Sequence, residues 1–62
     1  MGDIMCSKVG VNGDIVTFDI GVSKSGRPVY RISWFRNGVW SHARYSDFKA
    51  ARTTWMLVSS MI

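Results

Sequence analysis

Asn37-Gly38, set between two runs rich in aromatic and β-branched residues, restricts the fold of this chain more than any other feature. Asn-Gly is the strongest short signal for a two-residue hairpin of type I′, in which both central residues need positive φ. Asn tolerates that conformation and Gly adopts it freely. The turn also fixes the register of the flanking stretch, Tyr30 to Tyr45. Arg36 falls opposite Val39, and Phe35–Trp40, Ser33–His42 and Arg31–Arg44 share one side of the ribbon. Trp34–Ser41, Ile32–Ala43 and Tyr30–Tyr45 share the other. That second side is apolar enough to lie against a core. On the first, like charges directly opposite each other are destabilising. The Arg31–Arg44 pair therefore has two readings. Either an anion lies across the ribbon, or two long side chains splay into solvent at a cost of a few tenths of a kcal/mol.

Upstream, Asp14 to Val22 alternates, with Val16, Phe18, Ile20 and Val22 on one face and Ile15, Thr17, Asp19 and Gly21 on the other. This is the pattern of a half-buried strand. A second Asn-Gly, Asn12-Gly13, predicts a short hairpin before it, with Gly10 weakening the incoming strand. Residues 1–8 carry no clear pattern and read as a loosely ordered lead-in. Ser23 to Pro28 is a polar turn, so the strand after it runs antiparallel to the one before.

Ser46 and Asp47 both suit a helix N-cap, and Asp47 also suits the positive end of the helix dipole. Beyond them Phe48, Ala51, Trp55, Val58 and Ile62 recur at spacings of three and four, with Leu57 and Met61 widening the stripe. Lys49, Arg52, Thr53, Ser59 and Ser60 take the other side, and Met56 among them is expected to be exposed. The predicted architecture is α+β: a three- or four-stranded antiparallel meander over residues 9–45, with one C-terminal helix over 47–62 packed on its apolar face. The face bearing Arg31, Ser33, Phe35, Trp40, His42 and Arg44 is left open, and an exposed Phe and Trp there suggest contact with something.

With 62 residues the chain makes one small domain of limited core. One cysteine, Cys6, excludes an internal disulfide, and one histidine leaves no ligand set for structural zinc, so no cofactor is expected. No apolar run approaches the roughly 20 residues of a membrane span, and Met1 to Cys6 does not read as a signal peptide. A reduced, cytoplasmic setting is expected, the host cytoplasm in the case of a phage protein. The net charge of +4 is unevenly spread. Residues 1–23 set Lys8 against Asp3, Asp14 and Asp19. Residues 24–62 set Lys24, Arg27, Arg31, Arg36, Arg44, Lys49 and Arg52 against Asp47 alone. Arginine-rich basic stretches interleaved with aromatics are the electrostatic footprint of nucleic-acid binding, and acidic protein surfaces answer to them too.

Three antiparallel strands followed by a helix, with particular residues inside them, resemble the plant ethylene-response-factor (apetala-type) DNA-binding domain. That domain also occurs in phage and homing-endonuclease proteins, and the arm-site-binding domains of phage integrases are similar. Gly21-Val22 sits where that family has Gly-Val on its first strand. Tyr30-Arg31-Ile32-Ser33-Trp34 sits at its W-x-A-x-I strand, and Tyr45-Ser46-Asp47 with Ala51 and Trp55 at its helix start. The likeness covers about residues 20–56. It implies a sheet laid in the major groove of DNA, with Arg31, Ser33, Arg36, Trp40, His42 and Arg44 in the contacting positions. Asp19 stands where the family's first strand would supply a cation. A shorter stretch, Ala43 to Phe48, is similar to the R-R-Y-S-D-F signature of phox-homology domains. That likeness implies a phosphoinositide phosphate on Arg44 and an inositol ring over Tyr45, with Ala43 replacing the first arginine of the pair.

Catalysis is not expected, because the four carboxylates are scattered and neither Cys6 nor His42 has an identifiable chemical partner. Two functions from different classes remain. One is a small basic DNA-binding protein, regulatory or accessory to a phage. Its nucleic-acid contacts would be Arg31, Ser33, Phe35, Arg36, Trp40, His42, Arg44 and Lys24. The other is a protein-binding module or inhibitor, of phage origin, that docks on an acidic host protein through the sheet face or through Met56, Leu57, Met61 and Ile62. The same apolar helix end fits a homodimer. Phe35 and Trp40 also have a purely structural reading, as a cross-strand pair worth up to roughly 1 kcal/mol to the hairpin.

Overall fold

Asn37 and Gly38 take φ values of 52° and 78°, the doubly positive pair that a type I′ turn requires. In the computed structural model, which describes residues 3–62, this turn joins the last two strands of one antiparallel sheet. Met1 and Gly2, part of the expected loose lead-in, lie outside the described residues. The strands are β1 (Asp3–Val9), β2 (Ile15–Val22), β3 (Pro28–Arg36) and β4 (Val39–Tyr45), and they pair in chain order. The helix α1 (Phe48–Met61) follows. Every β3–β4 pair falls where the turn places it, from Arg36 with Val39 to Tyr30 with Tyr45.

The other two turns share a different geometry. Gly10 N–H donates to Asp14 O at 2.7 Å, and Ser23 N–H to Arg27 O at 2.8 Å. In each the fourth residue is a glycine at positive φ, Gly13 at 80° and Gly26 at 84°. Both are three-residue connections closed by a left-handed glycine. Asn12-Gly13 therefore makes a hairpin by another route than Asn37-Gly38, since Asn12 itself does not enter the left-handed region. The sheet also begins earlier than residue 9. A bulge between Ile4 and Cys6 interrupts the two-residue period of β1, which hides the strand from an alternation argument.

The helix lies on the face carrying Val16, Phe18 and Ile32, where Ala51 and Val58 complete the buried core. Tyr30, Trp34, Tyr45, Trp55 and Ile62 pack around it. Phe18 is the hub of the aromatic contacts, with ring centroids 6.1 Å from both Phe48 and Trp55. Its edge-on angle of 69° to Trp55 sets ring hydrogens against a π face, the favoured aromatic geometry. Tyr45 and Thr54 hydroxyls lie 2.6 Å apart, which satisfies the polar end of a half-buried ring. Of the two N-cap candidates, Asp47 is the one used: its extended backbone (φ −109°, ψ 125°) lets the carboxylate accept from Lys49 N–H at 3.3 Å. Leu57 departs from expectation. At 62% exposure it widens no core stripe, and Met61 is likewise exposed, because Leu57 lies about 100° around the helix from buried Val58, away from the line that faces the sheet.

The last helical turn has no basic residue of its own. Lys8 of β1 supplies the charge instead, its Nζ donating to Ser59 O at 2.7 Å near the negative end of the helix dipole. Beside it, Gly10 lies so close to Ile62 that an added Cβ would sit 2.8 Å from Cγ2 and 3.0 Å from the carbonyl oxygen. Gly21, by contrast, faces open space. Gly10→Ala is therefore expected to cost about 1 kcal/mol through overpacking, a fall of several degrees in melting temperature for a domain this size. Gly21→Ala is the matched control and should stay within about 0.5 kcal/mol of the parent. Equal melting curves for the two variants would mean that the β1–β2 turn does not press on the helix end.

Candidate nucleic-acid interface

The pairing registers arrange the open face in rows. Val9, Ile15, Phe35 and Trp40 form an apolar row, and Ser7, Thr17, Ser33 and His42 a polar one beside it. Asp19, Arg31 and Arg44 form a charged row next to that. Because side chains on one face repeat every two residues, neighbouring rows are separated by roughly 7 Å. The face thus grades from greasy to charged along the strands, and the helix, held on the other side by the core, covers none of it.

Contacts within the face fix several of these groups. Trp40 is 52% exposed, its ring 5.3 Å from Phe35 and parallel to His42 at 6.3 Å. Phe35 is only half-buried by this contact, so Trp40, not Phe35, is the aromatic group offered outward. His42 Nδ1 lies 3.1 Å from Ser33 Oγ, which orients the imidazole. Arg31 does not stand bare. Its Nε donates to Asp19 Oδ1 at 3.0 Å, so an internal carboxylate relieves much of the Arg31–Arg44 repulsion. Arg44 has no carboxylate partner among the described residues.

Where the charged row meets the β2–β3 turn there is a hollow of about 460 Å³. Gly21 and Val29 floor it, Asp19 and the two arginines form one side, and Lys24 comes in from the turn. With no side chain at Gly21, nothing fills the space above it. With Arg31 paired to Asp19, Lys24 and Arg44 leave the hollow a positive balance, which favours an anion there.

Most of the expected contact residues come together: Arg31, Ser33, Phe35, Trp40, His42 and Arg44 share the face, and Lys24 lies at its end. Arg36 does not. Its strand position puts it on the helix side, where its Nη1 reaches Met61 Sδ at 3.5 Å. Arg44 lies on the open face, whereas Tyr45 faces the helix with its hydroxyl against that of Thr54. The Asp19–Arg31 pair and the hollow were not foreseen. The glycine in fourth place of Ser23-Lys24-Ser25-Gly26 held the missing signal, because that turn type sets Asp19 opposite Arg31.

Elsewhere the chemistry is sparse. Cys6 is a free, exposed thiol whose pKa is raised by desolvation, which favours its unreactive protonated form. Among the described residues no cluster of histidine, cysteine and carboxylates could hold a metal ion, and no helix is long and apolar enough to cross a membrane. No protein-family model matches the chain, and neither the curated proteins nor the solved structures compared with it give a match.

Proposed function

We propose that this protein binds duplex DNA with the open face of its sheet, the β3–β4 ribbon entering the major groove. The observation that carries the reading is the hollow at the charged end, with Lys24, Arg31 and Arg44 around it and exposed Trp40 two rows away. A groove about 12 Å wide can take the outer part of the sheet, β3 and the edge strand β4, which together hold six of the residues in question. Arg31 and Arg44 contact phosphate or guanine edges, with Lys24 as an outer phosphate contact. Ser33 and His42 lie at base-edge depth between them and Trp40, whose ring meets thymine methyls or sugars. The likeness to the apetala-type domains supports the same orientation.

Three phosphate contacts give a log–log dependence of affinity on salt with a slope of about −2.7. A gel-shift series on generic duplex from low to physiological salt measures it, and absence of binding at the lowest salt would remove the DNA reading. A second reading, a module that docks on an acidic protein, draws on the exposed Met56, Leu57 and Met61 of the helix, an apolar patch for which duplex DNA has no use. Pull-down from a lysate with and without nuclease separates the two: DNA-dependent capture disappears with nuclease, direct capture of an acidic protein persists.

A further inference from the structure

The two edges of the sheet are unlike. The β1 edge carries a bulge between Ile4 and Cys6 and a lysine, Lys8, both of which discourage pairing with another strand. The β4 edge has neither: Val39–Tyr45 runs unbroken, with no bulge and no proline. Its outward groups follow from the turn. In Arg36-Asn37-Gly38-Val39 the turn's own bond makes Arg36 and Val39 a hydrogen-bonded pair, and such pairs alternate along an antiparallel ladder. Val39, Ser41, Ala43 and Tyr45 therefore direct their N–H and C=O groups to β3. Those of Trp40, His42 and Arg44 point away from the sheet with no strand to receive them.

We infer that β4 pairs antiparallel with β4 of a second copy of this chain, on a two-fold axis at His42. That register satisfies every outward group, since His42 meets its own counterpart and Trp40 exchanges bonds with Arg44 of the second copy. Centring on Ser41 would leave Arg44 unpaired, and centring on Ala43 would leave out Trp40. Charge selects the same register. Each Arg44 comes to lie beside the exposed indole of Trp40 from the other copy, an attractive contact for a guanidinium, instead of beside another Arg44. On the helix side Val39, itself 61% exposed, meets Tyr45 of the second copy. The interface is self-complementary, as a two-fold contact must be. The inference does not rest on the nucleic-acid reading. The two interact, because a groove that admits a ribbon does not admit an eight-stranded sheet, so duplex and second copy compete for β4.

Sedimentation velocity without DNA, from micromolar to millimolar protein, is expected to show a monomer–dimer equilibrium. His42→Pro removes an outward N–H and no bond to β3, so the folded variant should remain monomeric over the same range. A parent protein that stays monomeric throughout overturns the inference, as does a dimer that survives in folded His42→Pro. If proline at this position unfolds the chain, His42→Cys in a Cys6→Ser background decides. A hydrogen-bonded cross-strand pair has Cα atoms about 5.5 Å apart, within disulfide range. His42→Cys should form an interchain disulfide at least tenfold faster than Asn12→Cys, on the exposed β1–β2 turn. Equal rates overturn the pairing.

Discussion

An Ile32→Ala chain is expected to unfold at much lower urea than the parent, with about 3 kcal/mol of stability lost. Ile32 is fully buried on a central strand, between Phe18 of β2 and Ala43 of β4, and helix residues Ala51 and Val58 close over it. Truncation there removes buried methylenes and leaves a cavity that a two-layer domain has few neighbours to refill. A domain of this length holds only several kcal/mol in total, so the variant should be partly unfolded before any denaturant is added. Leu57→Ala is the contrast. Its side chain is 62% exposed, and the change should cost less than about 0.5 kcal/mol. Tryptophan fluorescence across a urea titration reads both, since Trp34 and Trp55 border the core. A midpoint for Ile32→Ala close to that of Leu57→Ala would mean that the helix does not seal this face of the sheet.

Asp19→Asn is expected to tighten binding to duplex DNA, about fivefold to tenfold at low salt, a gain on the order of 1 kcal/mol. Asp19 is the acid of the charged row, its side chain 14% exposed, and it occupies Arg31 Nε. Asparagine keeps the shape, removes the negative charge from the hollow and frees the guanidinium for phosphate. The reverse follows for Arg31→Ala. That change deletes a cation and uncovers the carboxylate together, so it should weaken binding more than Arg44→Ala, which deletes a cation alone. Combining Arg31→Ala with Asp19→Asn should recover part of the loss. Fluorescence anisotropy with one labelled duplex at fixed low salt compares the four variants with the parent. An Asp19→Asn protein that binds more weakly than the parent would contradict the phosphate assignment of the hollow.

What could be read from the sequence was governed by which constraints are local. Asn37-Gly38 acts over four residues, and it sufficed to place Arg31 beside Arg44 and to separate the two faces of the ribbon. The helix and its cap were legible because Asp47 and the spacing of Ala51, Trp55 and Val58 are features of the chain itself. The rest depended on distance. Leu57 adjoins the apolar stripe in sequence, and the helix turns it about 100° from Val58, so only the placement of the helix on the sheet decides that it stays in water. Asp19 looked like a misplaced acid because its partner lies 12 positions away across a turn whose geometry the alternation pattern does not reveal. Arg36 is one residue past Phe35, and that single step carries it to the other side of the sheet.

Because each strand pairs only with its neighbour in the chain, assembly of the sheet needs just three short loop closures. Hairpins of this kind close in microseconds, so the strands can zip together in succession without a long search. Docking of the helix is the non-local part of the fold: the bond from Lys8 to Ser59 joins residues 51 positions apart. A sheet without its helix would leave the greasy side, with Val16, Phe18 and Ile32, bare. A chain whose helix had come away would therefore offer that whole apolar face to other copies, the condition in which small sheets clump.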